Sequence, residues 1–149
     1  GNSLTYANDL PSIVSALAPD RKERLTPAAE WLRLKSELMC FSTMTLLEVR
    51  QGIARLERLG SSERAARLEQ WLQSICENAQ ERIVPLDADI AMEAGNMSDT
   101  AIAKGGHPGV SDIVIAATAK ALNLELLTRN IRHFEPLGIK CLDPFEFVR

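Results

Sequence analysis

Short apolar runs alternate with longer segments of helical periodicity along this chain, and that alternation constrains its fold more than any other feature. The runs predicted as strands stand at 38–42, 82–86, 124–128 and 139–142, with a weaker one at 4–7. The segments with helical spacing stand at 10–17, 28–36, 45–59, 62–77, 87–104 and 112–122. Strands separated by helices of this length pair in parallel. The sequence therefore predicts an α/β fold with a largely parallel sheet, in which 139–142 is an edge strand.

The composition is that of one ordinary globular domain, predicted to span residues 1–149, with Gly1-Asn2-Ser3 resembling a cloning remnant. Hydrophobic residues make up 46% of the chain and charged residues 25%, which is enough for a core without covalent cross-links. The formal net charge of −3 excludes a polycationic surface. A nucleic-acid partner would therefore need a local basic strip.

Cysteine usage and hydropathy exclude several other classes of protein. Cys40, Cys76 and Cys141 form no C-x-x-C motif and have no histidine at zinc-site spacing. Because they stand among apolar residues, we predict reduced thiols in the core of a cytoplasmic protein. No stretch of 18 apolar residues and no signal peptide is visible, so no membrane association is expected.

Acidic and amide side chains fall where predicted strands end. Asp9 follows the first run, Glu48 lies just after 38–42, and Asn130 follows 124–128, while Asp112 begins the helix after the loop 105–109. Ligands of parallel sheets bind outside the carboxyl ends of the strands. Converging carboxylates repel one another unless a cation lies between them, and oxygen ligands suit Mg²⁺ or Mn²⁺. The pattern indicates a metal site whose activated water hydrolyses a phosphodiester.

Each of these positions also has a purely structural interpretation. Thr45-Leu-Leu-Glu48 fits a capping box, and Asp112 would complement the dipole of its helix. Asp9 fits a turn, and Asn130 a bend. Asp87, after the run 82–86, and Ser111, directly before Asp112, are interpreted as helix caps. The metal-site hypothesis therefore depends on convergence of these residues and not on any one of them.

Read together, several segments resemble a known family. They are FSTMTLLEVRQGIARL (41–56), RIVPLDADIA (82–91), GVSDIVIAATAKALNLELLTRNIRHFEPLGI (109–139) and LDPF (142–145). In this order and spacing they resemble PIN-domain ribonucleases of the VapC/FitB toxin type. The most specific part is D-x-x-I-A-A-T-A followed by L-x-L-x-T-R-N. An acid within L-x-E-x-R-x-G-I after a strand is the next most specific.

The resemblance implies a PIN-like three-layer α/β/α sandwich with a mainly parallel central sheet. It implies Mg²⁺- or Mn²⁺-dependent cleavage of RNA by a cytoplasmic homodimer, which a cognate antitoxin protein controls. Glu48 matches the second acid of the family's site, Asp112 the third, and Asn130 the fourth position, which is Asp or Asn. Asp9 lies closest to the first. The metal ligands are thus expected to be Asp9, Glu48 and Asp112, with Asn130 assisting.

Two positions depart from the family's pattern. The family begins with a strong strand followed by D-T-N or D-x-N, whereas this chain has LTYANDLP, so that Asp9 is the weakest correspondence. A chain without the first ligand would be a catalytically degenerate PIN-like module that binds RNA or a protein. His133 stands where many relatives carry an acid; alone, it is interpreted as a surface histidine.

Four further residues are candidates for contacts with the substrate. Ser42 and Thr128 lie beside the expected site, although a hydroxyl at a strand end commonly bonds to backbone instead. Arg50 and Arg129 are candidates for binding RNA phosphates; Arg129 is also placed to pair with a site acid. Helices 45–59 and 62–77 are predicted to hold the antitoxin or to form the dimer. A DNA-acting nuclease is the poorer interpretation, since the chain lacks the insertions that would hold a duplex.

Overall fold

The computed structural model describes residues 4–6 and 27–147. Its strands are β1 (Leu4–Tyr6), β2 (Met39–Ser42), β3 (Ile83–Val84), β4 (Glu125–Leu127) and β5 (Cys141–Leu142). Its longer helices are α1 (Pro27–Leu34), α2 (Thr43–Arg58), α3 (Ser62–Asn78), α4 (Ala88–Ala103) and α5 (Val110–Ala121). Two helical turns, α6 (Ile131–Phe134) and α7 (Pro144–Phe147), follow. The helix predicted at 10–17 lies outside these residues, as does Asp9.

The five described strands form one sheet in the order β3-β2-β1-β4-β5, and every pair is parallel. The weakest predicted strand, β1, is the central one, with Tyr6 beside Phe41 on one side and Leu127 on the other. The edge position predicted for 139–142 is confirmed. Because all strands point the same way, their carboxyl ends share one edge of the sheet.

Apolar side chains cover both faces of this sheet. Leu126 packs into a cluster with residues of α4 and α5, whereas the next residue, Leu127, packs with Leu32 of α1 and Phe41 of β2. Successive residues of a strand face opposite sides. The two clusters therefore lie on opposite faces, which confirms the three-layer α/β/α arrangement. A third cluster, including Val49, fills the space between α2 and α3.

Helix α5 is apolar nearly all round and is buried accordingly. Every residue from Asp112 to Ala119 is buried, as expected of a helix packed between other elements. Its small side chains, Ala116, Ala117 and Ala119, allow close packing and are fully buried. Asp112 therefore lies in the first turn of a rigid core helix, and its carboxylate is positioned by the core.

Two helices begin earlier than the sequence predicts. Helix α2 begins at Thr43, because the Ser42 side chain caps it by accepting a hydrogen bond from the Met44 N–H at 3.1 Å. Thr45 is buried inside the helix, so the capping box with Glu48 is wrong.

Helix α5 begins at Val110 after a Gly109 cap, so Ser111 is not its cap. The cap predicted at Asp87 is confirmed by its bond from the Ile90 N–H at 2.9 Å.

The prediction that all three cysteines are core thiols is wrong for Cys76. Cys40 and Cys141 are half-buried, but Cys76 is exposed. Its neighbour Ile75 packs inward from α3, and adjacent residues of a helix point about 100° apart, so Cys76 faces solvent. Burial, and then the charge of Glu135, raises the pKa of the Cys141 thiol to about 11.

Among the helices of residues 27–147, none is long and apolar enough to cross a membrane.

Candidate active site

Glu48 is held at the carboxyl edge of the sheet by a contact between two helices. It lies in the second turn of α2, six residues beyond the end of β2, and is half-buried. The Ser111 hydroxyl of α5 donates a hydrogen bond to Glu48 Oε1 at 2.6 Å. A bond of this length is typical of a hydroxyl donating to an ionised carboxylate. Glu48 is therefore fixed by a residue 63 positions away in the sequence, and not by its own helix.

The surroundings of Glu48 disfavour its charged form. Burial raises the pKa of Glu48 above its ordinary value, and the negative charge of Asp112 raises it further, whereas the Ser111 hydrogen bond lowers it. The Ser111 hydrogen bond also places Glu48 beside the residue that directly precedes Asp112. Glu48 and Asp112, which were predicted to converge from separate segments, are thus brought to one place.

Asp112 forms part of a cleft between α5 and the segment after β4. Its Oδ2 lies 3.2 Å from Nδ1 of His133 in α6, and its side chain is 13% exposed whereas that of His133 is 57% exposed. The cleft has a volume of about 270 Å³, and its lining also includes His107 and Arg132. The Asp112 carboxylate is therefore reachable from solvent although its helix is buried.

Asn130 and Thr128 form the turn that leads from β4 into α6. The Asn130 N–H donates to the buried Thr128 Oγ1 at 3.0 Å, and the Asn130 carbonyl accepts from the His133 N–H at 3.0 Å. Asn130 is half-buried, and its side chain does not cap α6. The backbone of Asn130 thus sets the position of His133, which follows it by three residues, about one helical turn, and contacts Asp112.

The other residues predicted to contact substrate have partners elsewhere. The hydroxyls of Ser42 and Thr128 accept hydrogen bonds from backbone, which is the structural alternative raised for both.

The two candidate arginines also have partners. Arg50 forms an ion pair with Glu69 of α3. The Arg129 guanidinium lies 4.7 Å from the centre of the Phe145 ring, a cation–π contact. None of these contacts joins Glu48 and Asp112, so a role in substrate binding remains a prediction for all four.

The donor chemistry of the acidic pair suits a divalent cation. The charge of Asp112 raises the pKa of Glu48, and a positive charge between the two carboxylates would offset that effect. Within residues 4–6 and 27–147, no three acidic, histidine or cysteine side chains are grouped to enclose a metal ion. One or two carboxylates are nevertheless sufficient for Mg²⁺, which keeps most of its waters. Glu48 and Asp112 fit such a cation. Strand β1, after which Asp9 follows in the sequence, lies between β2, which leads to Glu48, and β4, which leads to Asn130.

A comparison with protein families identifies the family of this chain. The model of the PIN domain matches residues 12–138. The chain belongs to the PIN-domain family. The match begins after Asp9, so this first candidate ligand is not part of it. Glu48, Asp112 and Asn130 all lie within the matched residues.

Curated and solved relatives of this PIN domain cover nearly its whole length. The plasmid stability protein StbB of Pseudomonas syringae pv. tomato is 28% identical over 86% of this chain and 91% of its own. Toxin FitB of Neisseria gonorrhoeae is 28% identical over 92% of this chain and 96% of its own. The solved structure of DNA-bound VapBC from Salmonella typhimurium matches with a TM-score of 0.73 at 22% identity, covering 95% and 98% of the two chains. The solved structure confirms the fold.

Two residues that contact the candidate acids were missed by sequence reasoning. Ser111 was assigned to helix capping, and His133 was interpreted as a surface side chain. The sequence contained one signal for each: Ser111 is adjacent to the candidate ligand Asp112, and His133 replaces a family acid. Their contacts depend on packing between α2, α5 and α6, which periodicity does not reveal.

Replacing Ser111 with alanine is expected to weaken metal binding without unfolding the protein. Removal of its hydrogen bond leaves burial and Asp112 to raise the pKa of Glu48 further and frees the carboxylate to turn. We expect about a tenfold loss of Mn²⁺ affinity, as for other residues that orient a ligand. Calorimetric titration measures this, with Ser74→Ala on the exposed face of α3 as the matched control. Equal affinities of the two variants would show that the hydrogen bond does not organise the site.

Proposed function

We propose that this PIN domain is a Mg²⁺- or Mn²⁺-dependent endoribonuclease that acts as the toxin of a toxin–antitoxin system. The observation that carries the proposal is the approach of Glu48 and Asp112 at the carboxyl edge of the sheet. Nuclease activity is general for toxins of this family. Among its curated relatives, one is named Toxin FitB. The acidic pair supplies the chemistry that such an activity needs.

In the proposed mechanism the chain's own residues hold the reacting groups in place. Glu48, Asp112 and Asp9 would hold the cation, and the Asn130 amide would help to orient a water or a carboxylate. A cation bound there would lower the pKa of a water and neutralise charge on the phosphoryl oxygens. Ser111 keeps Glu48 turned toward Asp112. Arg129 and Arg50, both exposed on the outer surface, are proposed to bind RNA phosphates, so affinity for RNA should fall as salt rises.

We further propose an antitoxin partner and a homodimer. Solved relatives include a member of the VapBC family of toxin–antitoxin systems from Mycobacterium tuberculosis, with a TM-score of 0.66 at 16% identity. In this chain, large apolar side chains remain exposed on and beside α2, among them Leu47 at 56% and Leu59 at 62%. Exposed apolar residues of this kind suit either an apolar peptide helix or a second copy of the chain.

The test is cleavage of single-stranded RNA by the purified protein. We expect cleavage with Mn²⁺ or Mg²⁺ and loss of at least about 100-fold in rate when EDTA removes the metal, because the ion supplies the nucleophile's activation. Equal rates with EDTA and with metal would contradict metal dependence. Binding of RNA without cleavage under any divalent ion would instead support the alternative, a catalytically degenerate PIN-like binding module.

A further inference from the structure

A groove runs from Asp112 across the surface of the PIN domain between two segments of chain. The cleft at Asp112, of about 270 Å³, adjoins a second cavity of about 140 Å³, and Pro136 lines both of them. One wall comes from residues within 104–109, which lead from the end of α4 to α5, and the other from residues within 132–138. The two cavities are therefore parts of one groove that has Asp112 at one end.

Backbone turns at glycine hold both walls of this groove in place. Gly105 has a φ of 85°, and the N–H groups of Gly105 and Gly106 each donate to a carbonyl near the end of α4 at 2.9 Å. This is a common way for a helix to end at glycine. On the other wall Gly138 has a φ of 70° and closes the turn after Pro136. The groove is thus formed by the fold itself, and a ligand would bind there with little ordering of the chain.

Two cations that line the groove have no anionic partner within the described part of the chain. Arg132 and Lys104, one on each wall, are exposed and form no ion pair with another described residue. Lys120, which also lines the groove, is paired with Glu93, and Arg50 is paired on α2. A cation without an internal partner gives up no ion pair when it binds a phosphate. Arg132 and Lys104 are therefore well suited to bind an anionic strand.

Flat and apolar side chains line the same groove beside these cations. His107 and His133 border the cleft at Asp112, together with Pro108 on one wall and Pro136 on the other. Bases of single-stranded RNA stack on rings such as imidazole, while cations beside them bind the phosphates. Cavities of about 270 and 140 Å³ are large enough for parts of one strand but too small for a double helix. The lining therefore suits a single strand of RNA.

We propose that this groove holds the single-stranded RNA on one side of the bond that is cleaved, with Arg132 and Lys104 binding its phosphates. The inference rests on the proposed function, because it takes RNA as the ligand and Asp112 as part of the cleavage site. It goes beyond that function by naming the path of the strand and two cations that hold it. A strand bound in the groove ends at Asp112, so these contacts would position the bond for hydrolysis.

The experiment measures binding of a short fluorescein-labelled RNA without self-complementarity by fluorescence anisotropy, in EDTA so that no cleavage occurs. Wild type is compared with Arg132→Gln/Lys104→Gln across about 50 to 200 mM salt. We expect the variant to lose roughly tenfold in affinity, and the slope of log affinity against log salt to become shallower by about 1.4, or about 0.7 for each phosphate contact removed. Arg33→Gln/Arg64→Gln is the matched control, because it removes two positive charges from exposed positions on α1 and α3.

The outcomes separate the inference from the proposed function. Equal losses in the two double variants would mean that only net charge matters, and unchanged affinity in both would mean that the strand lies elsewhere. Either result would overturn the groove while RNA cleavage by the wild type still stood. Arg132→Lys/Lys104→Arg keeps both charges and should bind RNA with the wild-type slope, and a shallower slope in this variant would also count against the groove. Absence of RNA binding by the wild type would overturn the inference and the RNA substrate together.

Discussion

Asp112→Asn is expected to abolish RNA cleavage while leaving the fold intact. The change removes a negative charge but keeps the shape of a side chain that is mostly buried at the start of α5. Loss of a residue that only orients a ligand costs about 10–100-fold in metal affinity, so loss of a ligand itself should exceed about 100-fold. RNA cleavage is measured at a Mn²⁺ concentration that saturates the wild-type protein. Circular dichroism shows whether the fold is intact.

Asp99→Asn provides the matched control for this variant. Asp99 is exposed on α4, which packs against α5, and the same change of charge there should leave cleavage unaltered. Cleavage by Asp112→Asn at the wild-type rate would remove Asp112 from the site. Loss of activity in both variants would point to net charge, and not to a ligand, as the cause.

Glu48→Gln is expected to have opposite effects with and without metal. Because burial and Asp112 raise the pKa of Glu48, the ionised residue is less favourable in the folded chain than in the unfolded one. Gln removes that cost and still accepts the Ser111 hydrogen bond, so the variant should unfold at a higher temperature in EDTA at pH 7. With metal at 100 times its Kd, the wild type should gain about 2.7 kcal/mol, or roughly 5–10 °C, and the variant little of it.

The pH dependence of stability gives an independent measure of the same effect. A carboxyl with a raised folded pKa binds its proton more tightly in the folded state. Its contribution to stability is therefore largest below its ordinary pKa of 4.5 and falls as pH rises from there through the raised value. Urea denaturation of the metal-free protein should show this fall in the wild type and in Glu57→Gln, an exposed control on α2, but not in Glu48→Gln. Identical pH profiles would contradict the environment described for Glu48.

Much of the fold is predictable from this sequence because its cause is local. The apolar runs at 38–42 and 124–128 are too short for helices and end in polar residues, and both form strands. The apolar helix after Asp112 is buried, as its composition requires. Strand β1 was the weakest prediction, yet it is central, because pairing with β2 and β4 on both sides compensates for a poor local pattern.

The acidic residues of the candidate site can be predicted from the sequence, but the side chains that contact them cannot. Glu48 stands after a strand and Asp112 at the start of an apolar helix, and a resemblance to a family identifies both. The bond from Ser111 and the contact of His133 depend instead on how α2, α5 and α6 pack, which local patterns do not contain. The capping box at Thr45 was wrong for a related reason: Ser42, the last residue of β2, was already placed to cap the helix.

The most direct test of the metal site is a calorimetric titration of Mn²⁺ into the wild-type protein, Asp112→Asn and Asp9→Asn. We expect the wild type to bind Mn²⁺ and Asp112→Asn not to bind it. Failure of Asp9→Asn as well would add the first ligand to the site, whereas normal binding by that variant would remove Asp9 from it. Absence of Mn²⁺ binding by the wild type would contradict the account, and Glu48 and Asp112 would then be acids that serve the packing of their helices.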